Sequence, residues 1–363
     1  MSEVSREKIE AALDQVIDPH LGMSLLAAKV VRDIGLEGGR VIIDLGMPYP
    51  CLRWADTLRT MVRDSVQAVP GVTDVTINIS QKIIAHSVQH GVKRLENVKN
   101  IIAVASGKGG VGKSTTSANL ALALASEGAS VGLLDADIYG PSQPRMMGLS
   151  GQPESLDGKS LEPMENYGVQ TMSIGFLIDE ETPMIWRGPM VTQALEQLLN
   201  DTRWRDLDYL VIDLPPGTGD TQLTLSQKVP VSGAIIVTTP QDIALLDARK
   251  GLKMFEKVEI PILGIVENMS THICSQCGHE EPIFGAGGGQ SMATESNVEL
   301  LGSLPLEMSI RLQADGGKPT VVADPDSRTA ESYRVIARKA AARLSRQAKD
   351  YSAAFPNIVI QNT

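Results

Sequence analysis

The feature that most constrains the fold of this 363-residue chain is a glycine-rich octapeptide behind an apolar segment. It reads Gly107-Lys108-Gly109-Gly110-Val111-Gly112-Lys113-Ser114, with Thr115 next, and it matches the pattern G-x-x-x-x-G-K-[ST]. Residues 101–105 have the pattern of a strand, and residues 114–127 have that of a helix. Glycines let a backbone wrap a phosphate closely, and amides at a helix N-terminus bind the anion. The sequence therefore predicts a loop that binds ATP.

Two lysines in this loop have different expected roles. Lys113 would reach the β- and γ-phosphates of ATP, and the Ser114 hydroxyl would ligate Mg²⁺. Lys108 is not needed in a simple loop of this kind. A second cation here indicates either a further electrostatic role, such as contact with a phosphate across a dimer interface, or a solvated loop lysine.

From Val98 onward, strand patterns alternate with helical patterns. Near-continuous apolar runs, typical of parallel strands buried on both faces, lie at residues 101–105, 131–134, 209–212, 234–238 and 262–266. Helical patterns lie at residues 114–127, 242–255 and 327–349. This alternation predicts an α/β fold with a doubly wound, mostly parallel sheet of the P-loop NTPase type.

The chain ahead of this region reads as a small α+β domain at residues 1–80. We predict helices at residues 5–16 and 52–69, strands at 29–34, 40–45 and 72–79, and a glycine-rich turn at 35–39. Residues 81–97 are predicted to be a linker. The P-loop ATPase domain would then span residues 98–350, and residues 351–363 would form a short tail.

Three aspartates are predicted to complete the nucleotide site. Asp135 and Asp137 follow the strand at 131–134, and residues two apart on a strand point the same way, so both carboxylates would face the cleft. One would help hold Mg²⁺ while the other positions the attacking water, and a turn or helix cap is the alternative. Asp213 ends an apolar strand in the position of a Walker B aspartate. Asn268 follows another strand, and its amide suits an adenine edge.

Cys274 and Cys277 form a C-x-x-C pair whose sulfurs can both reach one metal centre. A tetrahedral zinc ion or a four-iron cluster takes four ligands, so one chain supplies half of them. A two-fold dimer would bring two pairs together, or His272 or His279 could complete a zinc site within one chain. A redox dithiol and a pair of structural thiols are further alternatives. Glycines after the pair favour an exposed segment that suits a transferable cluster.

Charge and composition narrow the partners. The chain has 33 basic and 43 acidic side chains, a net charge of −10, and such a chain is a poor non-specific ligand for nucleic acid or anionic membranes. No apolar run approaches the ~20 residues that span a bilayer. Three cysteines cannot form a disulfide framework. We therefore expect a cytoplasmic protein that binds neither nucleic acid nor membrane.

Taken together, these motifs resemble a known family. Residues 106–116 resemble the deviant Walker A motif of the MinD/ParA-like ATPases, which is marked by an extra lysine at the position of Lys108. More closely, the chain resembles the Mrp/ApbC-type iron–sulfur cluster carriers over residues 98–349. The matching segments are 107–115, 135–142, 213–220 and 267–270, which lead into Cys274 and Cys277. Ser275 departs from the proline that family members often carry after the first cysteine.

Residues 1–80 resemble a small domain of iron–sulfur assembly factors. The match is carried by Asp18-Pro19-His20-Leu21-Gly22 and Pro50-Cys51. In such domains the cysteine at the position of Cys51 is thought to matter for cluster handling. A half-buried structural thiol is the alternative.

The resemblance implies a homodimer in which Lys108 crosses to the partner's nucleotide. Lys108, Lys113 and Asp137 would be the catalytic residues, with Asp137 orienting water and Asp135 and Asp213 near the Mg²⁺. Cys274 and Cys277 would bridge a [4Fe-4S] cluster with the other subunit.

The implied function is that of an ATP-dependent carrier that passes a cluster from scaffold proteins to apo iron–sulfur proteins, with slow Mg²⁺-dependent hydrolysis as the switch. A MinD/ParA-like positioning ATPase, a zinc-bound nucleotide switch and an electron-transfer ATPase are the alternatives. The first of these would need a basic patch or a basic amphipathic tail.

Overall fold

The computed structural model describes residues 4–89, 92–178, 188–274 and 276–349. The predicted tail at 351–363, and Ser275 between the two cysteines, lie outside the described residues. The described chain forms an N-terminal α+β unit and a larger α/β unit built on a mostly parallel sheet. The predicted fold class is therefore confirmed.

The N-terminal unit contains a three-stranded sheet and two helices. Its elements are α1 (Arg6–Asp14), β1 (Ile17–Asp18), β2 (Met23–Ser24), β3 (Val31–Glu37), β4 (Arg40–Met47), α2 (Ala55–Gln67) and β5 (Asp74–Gln81). Strand β3 pairs antiparallel with β4, and β4 pairs parallel with β5 across the α2 crossover. Leu58, Val62 and Val66 repeat every four residues along α2, so one face of this helix is buried in the core.

Two predicted elements of this unit differ from the observed ones. The turn predicted at 35–39 shortens to Gly38 and Gly39, because Gly35 pairs with Ile42 inside the β3–β4 ladder. The helix predicted to start at residue 52 starts at Ala55, because the Trp54 N–H closes a turn onto the Cys51 carbonyl oxygen and the first helical hydrogen bond runs from the Leu58 N–H to the Trp54 carbonyl oxygen.

The larger unit is organised around one eight-stranded sheet. Its strands and the adjoining hairpin are β6 (Val98–Ala105), β7 (Val131–Asp135), β8 (Met164–Asn166), β9 (Val169–Ser173), β10 (Leu207–Asp213), β11 (Gly233–Thr238), β12 (Ile262–Glu267), β13 (His272–Ile273), β14 (Glu280–Glu281) and β15 (Leu300–Ser303). The order across the sheet is β15-β12-β11-β6-β10-β7-β9-β8. Strand β8 is antiparallel to β9, and the other neighbouring pairs are parallel. Strands β13 and β14 form a separate antiparallel hairpin.

Helices accompany this sheet along the chain. They are α3 (Lys113–Ser126), α4 (Gln143–Met146), α5 (Gly188–Asp201), α6 (Asp220–Lys228), α7 (Asp242–Lys257), α8 (Gly288–Glu295), α9 (Met308–Asp315), α10 (Thr320–Ala323) and α11 (Arg328–Leu344). In the strand order, β7 lies on one side of β6 and β11 lies on the other side. The loop after β6 therefore opens at a topological switch point, where ligands bind in such folds.

Helix α3 connects the phosphate loop with the interface between the two units. Residues 118–124 of this helix, which are alanines and leucines apart from Asn119, are all buried, because α3 contacts β7, β10 and α11. Small apolar side chains let the helix approach these neighbours closely. Across the described ranges, no helix has both the length and the apolar character that crossing a bilayer requires.

The segment predicted as a linker is anchored to the larger unit. His86 forms an isolated β-bridge with Lys349, and its Nδ1 lies 2.9 Å from Asn100 Oδ1 in β6. Gln89 is buried and donates to two carbonyl oxygens of the larger unit, at 2.7 and 2.5 Å. These contacts make residues 82–89 part of the packed structure.

The two units meet at the C-terminal end of α3. The backbone N–H of Leu52 donates to the carbonyl oxygen of Glu127 at 3.1 Å, and that of Arg53 donates to Glu127 Oε2 at 2.9 Å. Arg338 of α11 donates to Glu127 Oε1 at 2.7 Å and to His20 Nε2 at 3.1 Å. Apolar residues of both units form one continuous core around these contacts. The buried Glu127–Arg338 ion pair is thus hydrogen-bonded on both sides of the interface.

Candidate functional site

The phosphate loop connects β6 with α3 and is fixed by close contacts at both ends. At Gly107, an added Cβ would lie 2.2 Å from the backbone carbon of Asp247 in α7, so a larger residue cannot be accommodated without movement. Gly112 has a φ of +82°, and an added Cβ would lie 2.2 Å from Asn268 Nδ2. Glycine is therefore required at both positions by the backbone's surroundings.

The loop borders a cleft of about 230 Å³. Of the predicted residues, it is lined by Lys108, Gly109, Gly110, Gly112, Lys113, Ser114, Thr115 and Asp137. Val111 belongs to the loop but does not line the cleft, because its side chain is buried, with 2% of its surface exposed. The structure thus brings most of the predicted loop residues to one cleft.

Lys113 is buried at the floor of this site and pairs with the aspartate that ends β10. Its Nζ lies 2.6 Å from Asp213 Oδ1 and 3.9 Å from Asp137 Oδ2. Ser117, one turn along α3, donates its hydroxyl to the same Asp213 Oδ1 at 2.8 Å. The carboxylate and the ammonium are thereby held together at the start of α3, where phosphate oxygens would meet the helix N-terminus.

Asp135 lies at the end of β7, next to Asp213 in the sheet register. It is fully buried, and its oxygens accept hydrogen bonds from the backbone amides of Asp137, Ser142 and Gln143 and from the Ser173 hydroxyl. Burial, and secondly the neighbouring Asp213 carboxylate, raise the pKa of Asp135 to about 7. With four donors around it, this carboxylate shapes the following segment and is turned away from the cleft.

The predicted geometry of the Asp135–Asp137 pair is therefore wrong. Strand β7 ends at Asp135, so Asp137 lies beyond the strand and the rule that residues two apart share a face does not apply. Asp137 borders the cleft, whereas Asp135 does not. Burial raises the pKa of Asp137, and the nearby Lys113 opposes this shift.

The donor set fits Mg²⁺. The Ser114 hydroxyl, the Asp213 carboxylate and the Asp137 carboxylate are hard oxygen ligands of the kind this ion takes. They lie around one ammonium group: Lys113 Nζ is 3.3 Å from Ser114 Oγ and close to both aspartates. Ser114 and Asp213 are the residues that would hold the ion, which would neutralise phosphate charge when bound.

Lys108 lies half-buried on the rim of the cleft. Its carbonyl oxygen accepts a hydrogen bond from Ser106 Oγ at 2.9 Å, which fixes the backbone at this point of the loop. For the described ranges, the structure records no ion pair of the Lys108 ammonium.

Asn268 is used to brace the loop. It is 7% exposed, its Nδ2 donates to the Val111 carbonyl oxygen at 2.8 Å, and its Oδ1 accepts from the backbone N–H of Met269 at 3.0 Å. The predicted contact of the Asn268 amide with an adenine edge stays a prediction. The observed hydrogen bond to Val111 ties the end of β12 to the phosphate loop.

The cysteine pair lies in the turn of the β13–β14 hairpin. The backbone N–H of Cys274 donates to the carbonyl oxygen of His279 at 2.9 Å, and that of Gly278 donates to the carbonyl oxygen of Cys274 at 2.8 Å. Gly278 has a φ of +70°, which closes the turn. Cys274 is half-buried and Cys277 is exposed. Both thiols are therefore presented at the tip of a small hairpin.

Hydrogen bonds in the turn favour the thiolate form of Cys274. Hydrogen bonds from the backbone N–H groups of Gln276 and Cys277, followed by one from the Cys277 side chain, lower the pKa of the Cys274 thiol. A thiolate is the form that binds metal. Among the described residues, no group of three or more His, Cys, Asp or Glu side chains is arranged to hold a metal ion. His272 Nδ1 instead lies 3.1 Å from the Leu306 carbonyl oxygen.

Cys51 belongs to the N-terminal unit, and its environment differs from that of the hairpin cysteines. It is 2% exposed at the interface between the units. Burial, followed by the charges of Glu127 and Asp18, raises the pKa of the Cys51 thiol to about 12. In this arrangement the thiol is neutral and covered.

Sequence reasoning missed several residues of the site. Ser117 sits one turn after Lys113 on α3, so helical spacing could have identified it. Gln143 and Ser173 contact Asp213 and Asp135 through the tertiary fold, and their spacing in the sequence gives no signal of this.

Known proteins resemble both units. Residues 97–341 match the family described as NUBPL iron-transfer P-loop NTPase, and residues 6–79 match the family described as iron-sulfur cluster assembly protein. The iron-sulfur cluster carrier protein of Pseudomonas fragi is 61% identical over 279 residues, which are 76% of this chain and 97% of that protein. The protein of the same name from Escherichia coli strain K12 is 48% identical over 343 residues, 94% of this chain and 93% of that protein.

A solved structure agrees with these matches. The nucleotide-binding protein of Archaeoglobus fulgidus, in complex with ADP, has 38% sequence identity and a TM-score of 0.57, and the match covers 64% of this chain and 91% of that chain. The resemblance to iron–sulfur cluster carriers with a P-loop is thereby confirmed. Since the first family match spans more than half of the sequence, the chain belongs to the family of NUBPL-type iron-transfer P-loop NTPases, preceded by an iron–sulfur cluster assembly domain.

Proposed function

We propose that this protein is an ATP-dependent carrier that holds a [4Fe-4S] cluster between two copies of the chain and passes it to apo iron–sulfur proteins. The observation that carries the proposal is the hairpin with two presented thiols and, in the described residues, no third ligand beside them. A four-iron cluster bound by thiolates takes four of them. Two chains related by a two-fold axis would supply that number.

The nucleotide site supports a role for ATP. The loop, Lys113 and the N-terminus of α3 would bind the β- and γ-phosphates, and Ser114 with Asp213 would hold Mg²⁺. Asp137 borders the cleft and would orient the attacking water. Lys108, at the mouth of the cleft, would reach the nucleotide of the second copy and complete its site. Hydrolysis would then be slow, since it depends on closure of the dimer.

The cluster is cargo in this proposal, and the exposed hairpin suits its release. The exposed sulfur of Cys277 is open to an acceptor, whereas a permanent structural metal is usually enclosed. Scaffold proteins would load the hairpin, and apo-proteins would receive the cluster. The names of the relatives from Pseudomonas fragi and Escherichia coli support this role.

Two other functions are weaker on specific grounds. A zinc site completed by His272 within one chain lacks support, because the described residues contain no third ligand in place. A MinD/ParA-like positioning ATPase would need a surface for DNA or membrane, and the net charge of −10 argues against a general affinity for either.

Anaerobic reconstitution with iron and sulfide tests the proposal. We expect about four irons and about four acid-labile sulfides per two chains, and their loss in the Cys274→Ala/Cys277→Ala variant. Cys51→Ala is the matched control, because that thiol is covered, and it should retain the cluster. One zinc without acid-labile sulfide would contradict the cluster, and a loaded monomer would contradict the bridging arrangement.

A further inference from the structure

Gln143 is a buried residue at the start of α4, and its side chain and backbone together contact three residues of the nucleotide site. Its Nε2 donates to Asp213 Oδ2 and to the carbonyl oxygen of Ser114, both at 3.0 Å. Its backbone N–H donates to Asp135 Oδ2, also at 3.0 Å. Both atoms that meet the side-chain amide are acceptors, so its nitrogen must face them.

These contacts complete the surroundings of the Asp213 carboxylate. Oδ1 of Asp213 accepts from Lys113 Nζ at 2.6 Å and from Ser117 Oγ at 2.8 Å, while Gln143 supplies a donor to Oδ2. Asp213 has no exposed surface, so a carboxylate oxygen that lost its donor would be left buried without compensation. The amide of Gln143 therefore fixes the orientation of this carboxylate from the side opposite the lysine.

The oxygen of the Gln143 amide indicates that the amide is needed for the hydrogen bonds of its nitrogen. Gln143 Oε1 is buried and has no hydrogen-bond partner among the described residues. A buried acceptor without a partner is unfavourable, and an apolar side chain of the same length would avoid that cost. Packing alone would thus favour methionine or leucine here, whereas the two bonds of Nε2 require an amide.

We propose that Gln143 is a positioning residue of the Mg²⁺–nucleotide site. It acts through Asp213, whose carboxylate it holds in the observed orientation. It also ties the segment that carries Asp137 to the backbone of Ser114. The inference rests on the nucleotide-binding role proposed above, and it adds a residue that lies behind the groups that would touch ATP and Mg²⁺.

Calorimetric titration of the full-length protein with ADP, with and without Mg²⁺, tests the assignment. We expect Gln143→Met to weaken Mg²⁺–ADP binding about tenfold and to change Mg²⁺-free ADP binding less than about twofold. In ATP hydrolysis, the KM for Mg²⁺–ATP should rise about tenfold, because KM equals the dissociation constant when hydrolysis is slow. The matched control is Gln170→Met in β9, since Gln170 also forms two amide hydrogen bonds, both to the backbone of Arg205. Its Mg²⁺–ADP affinity should equal that of the wild type.

A double-mutant cycle separates positioning from a general loss of packing. In the Asp213→Asn background, Gln143→Met should weaken Mg²⁺–ADP binding less than about twofold, because the group it acts through has been changed. An equal loss in both backgrounds, or no loss in the native background, overturns the proposal. Should circular dichroism show that Gln143→Met does not fold, Gln143→Asn, which is one methylene shorter, is judged by the same criteria. If the wild type hydrolyses no ATP, the proposed function fails, whereas the ADP titrations still decide the role of Gln143.

Discussion

At the scale of single residues, the three cysteines occupy opposite environments. Cys274 receives backbone hydrogen bonds that lower the pKa of its thiol, and Cys277 is exposed beside it. Cys51 is buried between the two units with a pKa raised to about 12. Under the proposed function, cluster ligation needs accessible sulfur ligands, and the hairpin pair would supply them. Any role of Cys51 in cluster handling would require the two units to separate first.

This contrast predicts the order of alkylation. With iodoacetamide at about pH 8, we expect Cys51 to react at least a hundredfold more slowly than Cys274, because its thiol is neutral as well as covered. Peptide mass spectrometry over time gives the three rates separately. In concentrated guanidinium chloride all three cysteines should react alike. Comparable rates for Cys51 and Cys274 in the folded protein would contradict the observed docking of the units.

The residues of the nucleotide site were predictable where local sequence determines their place. The loop from Gly107 to Ser114 is defined by its own backbone needs, and Asp213 by the end of an apolar strand. The predicted orientation of Asp135 is wrong because strand β7 ends two residues before Asp137, whereas the same-face rule needs both residues on the strand. The contacts of Asn268 and Gln143 depend on how distant elements pack, and sequence spacing carries no information about this.

At the scale of elements, the long runs of buried parallel strands were easier to predict than the short strands at or next to the edges of the sheet. Strands β6, β7, β10, β11 and β12 are apolar runs because both faces of each are covered. Strands β8, β9 and β15 have three, five and four residues and mix polar residues or glycine into the run. Their positions are set by pairing with a neighbour rather than by their own pattern.

The contact between the phosphate loop and α7 is a prediction at this scale. Gly107→Ala places a methyl group against the backbone of α7 at Asp247, so we expect a loss of about 1–3 kcal/mol in the free energy of unfolding. Gly109→Ala is the matched control, because its added methyl group meets nothing within 4 Å. That change should alter stability by less than about 0.5 kcal/mol. Urea unfolding gives the free energy of unfolding of both variants. Equal values would show that α7 moves to accommodate the methyl group.

At the scale of the whole molecule, the N-terminal unit and the larger P-loop NTPase unit are joined through α3. This helix starts at Lys113 in the phosphate loop and is followed by Glu127, which binds the backbone of the N-terminal unit. Arg338 bridges Glu127 and His20. This docking cannot be predicted from the sequence, because its contacts join residues up to 325 positions apart. Nucleotide site and Cys51 interface thus lie at the two ends of one rigid element.

The His20 contact makes this docking sensitive to acid. Burial, then the charges of Arg338 and Lys339, lower the pKa of His20 to about 3, against about 6.5 in an unfolded chain. Between these values the unfolded state binds one more proton, so the stability that His20 contributes is present above about pH 6.5 and is lost as the pH falls. As the pH falls from about 6 to 5, we expect the wild type to lose up to about 1.4 kcal/mol in its free energy of unfolding relative to His20→Gln.

His86→Gln is the matched control: His86 is also buried with a lowered pKa, but it bonds to Asn100 within the larger unit. Urea unfolding monitored by Trp54 fluorescence, with the other tryptophans replaced, reads the interface, because Trp54 lies against both His20 and Arg338. A pH-independent difference for His20→Gln by this probe would mean that His20 is protonated or exposed in the folded protein, and that the two domains are not held as the structure shows.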